Sequence, residues 1–113
     1  MTKTQVESAV QVLWADLFSA LSEELVGLPW QVIQTNVTEI KVMRAGSLDP
    51  ELIVTVGQES NGLVAHYENS HGQEQSFEIT FLENGDSANF KSSANRLLLP
   101  TAVAQELLKP LLK

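Results

Sequence analysis

Leu52-Ile53-Val54-Thr55-Val56-Gly57-Gln58-Glu59-Ser60-Asn61-Gly62-Leu63-Val64-Ala65-His66-Tyr67 decides the fold. Two β-rich runs flank Asn-Gly, a dipeptide favoured in the type I′ turn because both central residues of that turn need positive φ. A two-residue loop at Asn61-Gly62 pairs Ser60 with Leu63, Gln58 with Ala65 and Val56 with Tyr67. Leu52, Val54 and Val56 then share a face with Leu63, Ala65 and Tyr67, so turn chemistry and apolar alternation agree.

A second Asn-Gly at 84–85 pairs Phe81 with Ala88 and Ile79 with Phe90, while Glu78 meets Lys91 on the opposite face. Between the hairpins, Tyr67 and Phe77 share a face only if the loop around His71-Gly72 has an odd number of residues, three or five. With the runs Trp30 to Thr35 and Glu39 to Arg44 added, the pattern predicts an antiparallel meander of five or six strands. Those strands are Trp30 to Thr35, Glu39 to Arg44, Leu52 to Gln58, Leu63 to Glu68, Ser76 to Leu82 and Ala88 to Lys91.

Helices are expected at both ends. Thr4 with Glu7 makes a capping box, and Val6, Val10, Leu13, Trp14, Leu17, Phe18, Leu21 and Leu25 recur at steps of three and four. Gly27 and Pro29 stop that helix. Near the C-terminus, Thr101 can cap a short helix from Ala102 to Lys109 that ends at Pro110, with Val103, Leu107 and Leu108 on one side. The expectation is one α+β domain over residues 1–113: a long helix covering one sheet face, the meander, then a short helix.

Composition narrows the function. Seven basic against 14 acidic residues give a net charge of −7, which opposes nucleic acid and anionic membranes as partners. The chain has no cysteine, which removes disulfides, thiolate nucleophiles and Cys-ligated metal centres and favours a cytoplasmic location. No targeting or spanning segment is expected from the polar N-terminus and the periodic apolar positions after it. No phosphate-cradling glycine loop and no serine-nucleophile elbow occurs, so catalysis and bound cofactors are not expected.

His66, Glu68, His71 and Glu74 are the one group of metal-ligand residue types, but they fall on a strand and its turn without further rigidly held donors, and a solvated turn is the simpler reading. No lysine or arginine lies between Arg44 and Lys91, so the middle of the sheet is purely acidic. The face away from helix 1 carries Ile53, Val64 and Leu82 among Thr55, His66, Glu68, Glu78 and Thr80. That mixture is drier than a plain surface.

The C-terminal leucines exceed what a solvated terminus needs and must pack, on their own sheet or on a partner. Leu97, Leu99, Val103, Leu107, Leu108 and Leu111, with Ile53 and Val64 on the sheet, are therefore the candidate partner-binding residues. The leading expectation is a small acidic non-catalytic protein-binding module, adaptor-, chaperone- or inhibitor-like, that binds another protein or itself as a homodimer. The alternative is a small-ligand protein or minor enzyme with a pocket between helix 1 and the sheet, using Tyr67, His66, Glu68 and Trp30.

Overall fold

The computed structural model describes residues 3–59, 62–81, 88–92 and 96–112, with the side chains of residues 3–5 and 75 excepted. Its elements are α1 (Lys3–Glu24), β1 (Trp30–Asn36), β2 (Glu39–Arg44), β3 (Pro50–Glu59), β4 (Gly62–Asn69), β5 (Glu74–Phe81), β6 (Ala88–Lys91), β7 (Leu97–Leu98) and α2 (Pro100–Leu108). The strands form one antiparallel sheet in chain order, an α+β meander of seven strands. The seventh, absent from the sequence reading, has only two residues, too few to display a period of two.

α1 buries the stripe its spacing requires: Val10, Leu13, Trp14, Leu17 and Leu21 are buried, Val6 and Phe18 partly so, and Leu25 just past its end is buried too. It begins at Lys3, so Thr4 already lies inside the helix, and the expected capping contacts fall on side chains outside the described set. Gly27 takes φ +78°, the left-handed conformation that lets the chain leave the helix without a Cβ penalty.

The β3–β4 pairing corrects the expected register by two positions. Val56 lies opposite Ala65, Val54 opposite Tyr67, and Gly62 is already paired with Glu59. A slip of two returns every side chain to its own face, so the apolar pattern could not distinguish the two registers. Gly57 helps to choose between them. It sits opposite Val64, where a Cβ would stand 3.2 Å from the Val64 Cγ2. At the next hairpin the ladder Phe81–Ala88, Ile79–Phe90, Glu78–Lys91 is the expected one; its turn and Leu82 lie outside the described residues.

Between β4 and β5, Asn69 N–H donates to the Gln73 carbonyl at 3.0 Å and leaves a three-residue loop, Ser70 to Gly72. Tyr67 and Phe77 accordingly share a face, their rings stacked at 5.9 Å.

α2 starts one residue before the expected cap. Leu99 is the N-cap and Pro100 opens the helix, because proline's fixed φ and missing N–H suit the first helical position. Thr101 is helical and does not cap. Both helices lie on one sheet face, sharing a core with Ile40, Val42, Leu52, Val54, Ala65, Ile79 and Phe90. Gln105 Nε2 also donates to Glu24 Oε1 at 3.0 Å, tying α2 to the end of α1.

Candidate functional site

Because side chains alternate along each strand, the residues that do not meet the helices form a second face, and no described element covers it. One row across that face runs Ile33, Lys41, Ile53, Glu68, Glu74, and another runs Gly57, Val64, Glu78, Lys91. Met43 and Val64 are buried without belonging to the helix-covered core. The apolar part of the free face is thus Ile33, Met43, Ile53 and Val64, set among charged and hydroxyl side chains.

The charges are arranged with the cations outside. Lys41 Nζ lies 3.8 Å from Glu39 and Lys91 Nζ lies 4.0 Å from Glu78, flanking the acidic strands β3 to β5. Such solvent-accessible pairs contribute little stability. Glu68 and Glu74 stand directly opposite each other, a like-charge pairing that is unfavourable by itself. His66 Nε2 approaches Glu74 Oε1 to 3.3 Å and partly offsets that repulsion when protonated.

Of the residues with metal-ligand chemistry, His66 and Glu74 are brought together. The His71 backbone N–H instead donates to Asn69 Oδ1 at 3.0 Å in the turn. Among the described residues no group of three or more His, Cys, Asp or Glu is placed to hold a metal ion.

The leucine-rich tail divides. Leu97 and Leu99 are 58% and 70% exposed, but Val103, Leu107, Leu108 and Leu111 are buried under α1 and the sheet. Of the two ways the tail could pack, on its own sheet or on a partner, these four residues take the first, and Leu97 and Leu99 alone of the six stay available to a partner. The apolar side of α2 is consumed by the chain's own core and is closed to a partner unless the core opens. Ile53 is half-buried and Val64 buried on the free face, β3 standing about 19 Å from β7 at ordinary strand spacing, so the eight candidates do not form one patch.

Sequence reasoning missed a group at the opposite edge. β1 is an edge strand, paired among the described residues to β2 alone. Ile33 on it, Val26 and Leu28 before it and Val37 in the turn after it are all exposed. The signal that could have found them is apolar residues in or beside turns, where polar ones are usual.

The pocket expected between α1 and the sheet also changes. Tyr67 and Trp30 point to the covered side, whereas His66 and Glu68 lie on the free face, so these four do not converge. Under the first turns of α1 a cavity of about 330 Å³ is lined mainly by Val6, Val10, Val37, Val56 and Leu63. A larger one, about 750 Å³, lies where β5 runs past the end of β6, between Phe77, Lys91 and Leu98 on the sheet and Ala102 and Glu106 on α2. Burial, and then the nearby Glu106 charge, raise the pKa of Tyr67 and keep its hydroxyl protonated.

No protein-family model, curated protein or solved structure matches the chain. Among the described residues no helix is long and apolar enough to cross a membrane.

Proposed function

We propose that this chain is a small acidic, non-catalytic protein-binding module that associates with another protein or with itself. The observation that carries this reading is the one-sided sheet. Two helices cover one face, and on the other Ile33 is exposed and Ile53 half-buried, with Met43 and Val64 already buried and an uncapped edge strand alongside. A seven-stranded sheet with apolar residues on its uncovered face has contact surface left to bury. The acidic strands β3 to β5 disfavour polyanions and favour partners with basic or neutral surfaces. A cytoplasmic location belongs to the same proposal, since a chain without cysteine draws nothing from an oxidising compartment.

Light scattering on the purified chain at low and high salt tests this reading. A species heavier than one 12.4 kDa chain, persisting at high salt, supports it. A salt-independent monomer that also recovers no protein from its source cells counts against it.

A second reading, small-ligand binding, has the cleft of about 750 Å³ beside α2 in its favour. The size suits a metabolite, and Lys91 and Glu106 supply polar groups around Phe77 and Leu98. A thermal-shift screen with metabolites decides it. Stabilisation by one compound, lost in Phe77→Ala, supports the ligand reading, and no shift with any compound argues against it.

A further inference from the structure

Natural sheets blunt their edges with lysine, proline or very short strands, because an unpaired row of N–H and C=O groups invites another strand. The β7 edge follows this practice with two residues. β1 does not: Trp30-Gln31-Val32-Ile33-Gln34-Thr35-Asn36 has no charge and no proline. Its one irregularity, between Gln34 and Asn36, leaves Trp30 to Gln34 in unbroken register with β2.

The direction of the free groups follows from one hydrogen bond. Ala45 N–H donates to the Pro29 carbonyl at 3.0 Å, in the same register that places Trp30 opposite Arg44. Bonded and non-bonded pairs alternate along an antiparallel ladder, so Gln31 and Ile33 bond to β2 while Val32 and Gln34 turn their N–H and C=O outward.

Exposed apolar side chains gather at the same place. Nine large hydrophobic residues are exposed among those described, and Val26, Leu28, Ile33 and Val37 lie on β1 or within four residues of its ends.

We infer that the β1 edge pairs antiparallel with the β1 edge of a second copy of this chain, joining two sheets into one across a two-fold axis at Ile33. This inference rests on the protein-binding reading and names its partner. Centred there, Val32 bonds to Gln34 of the second copy and the two Ile33 side chains meet across a non-bonded pair. The ends of the ladder bring Leu28 and Pro29 of each copy toward Val37 and Thr38 of the other, adding apolar burial where exposed apolar groups stand.

Charge argues for the edge over the free face. Each copy carries −7, and stacking the free faces would bring the two acidic centres within about 10 Å. Edge pairing leaves β4 of one copy about 34 Å from β4 of the other, several Debye lengths at physiological salt.

The test is the mass of the full chain by light scattering over about a hundredfold range of concentration, for wild type, Gln34→Pro, Ile33→Lys and Leu99→Lys. Gln34→Pro removes an outward N–H without touching the β1–β2 ladder, and Ile33→Lys places a charge on the axis; Leu99→Lys changes the far edge. The expected result is a wild type and Leu99→Lys at twice the 12.4 kDa chain mass, with both β1 variants at the single mass and all four giving the same circular dichroism. Should Gln34→Pro fail to fold, Ile33→Lys alone decides, since that side chain is already at the surface. A dimer that survives the folded β1 variants overturns the edge while leaving self-association in place. A wild type at the single mass throughout overturns the second copy as partner and self-association together.

Discussion

Trp14 and Phe90, each fully shielded from solvent, meet with ring centroids 5.8 Å apart and planes at 50°, so that the middle of α1 is seated on β6. That contact, with Leu17 and Leu21 beside it, commits α1 to one sheet face, and no described element covers the other. The protein-binding reading depends on this asymmetry.

The two rings are expected to respond differently to substitution. Phe90→Ala opens a cavity in the centre of the core and should cost about 3–5 kcal/mol. Trp14→Phe keeps a ring against Phe90 and removes an indole N–H that has no hydrogen-bond partner among the described residues, so its cost should stay below about 2 kcal/mol. Urea unfolding followed by circular dichroism measures both.

The C-terminal leucines should separate by stability. Leu107→Ala is expected to lose about 2–5 kcal/mol, because the side chain is buried between α1 and the sheet. Leu99→Ala, at an exposed position, should stay within about 0.5 kcal/mol of wild type. Equal losses at the two positions would mean that α2 does not pack as described.

Asn69 organises the β4–β5 turn. Its Oδ1 accepts from the backbone N–H groups of His71 and Gln73 at 3.0 and 3.1 Å, and its Nδ2 donates to Gln73 Oε1 at 2.8 Å. Asn69→Ala leaves those groups without a local partner in a part-buried site and should cost about 1–3 kcal/mol. Hydrogen exchange should show the His71 and Gln73 amides losing protection first.

Tyr67 gives a pH dependence with a defined sign. Its folded-state pKa lies above the ordinary 10.0, so its contribution is complete below pH 10 and is lost as pH rises through the folded value. Unfolding free energy should therefore fall on the alkaline side, and Tyr67→Phe should flatten that fall. A Tyr67→Phe variant with the same alkaline slope as wild type would place the loss elsewhere.

Much of this architecture was legible because local chemistry carried it. The Glu78–Lys91 and Ile79–Phe90 pairs follow from Asn84-Gly85 and a period of two, and the stripe from Val10 to Leu25 follows from a period near 3.6. The β3–β4 register was not legible, since a slip of two leaves Val54, Val56 and Ala65 on the same face. Nor was the fate of Leu107 and Leu108. Their number required packing without saying against what, and the packing of α2 beside α1, about 80 residues away in sequence, settles it in favour of the chain's own core. The exposed edge at Ile33 was invisible for a related reason. Which strand ends a sheet depends on strand order, and no property of Trp30 to Asn36 taken alone reveals that no described strand pairs with its far side.

The most direct measurement is residue-resolved amide exchange by NMR at low and high protein concentration. In one copy the Val32 and Gln34 N–H groups face outward from β1, while β4 amides such as Ala65 sit between two strands. Edge pairing requires that protection of Val32 and Gln34 rise with concentration while that of Ala65 stays constant. Outward amides that exchange equally fast at every concentration, in a sample whose β4 amides are protected, would contradict it.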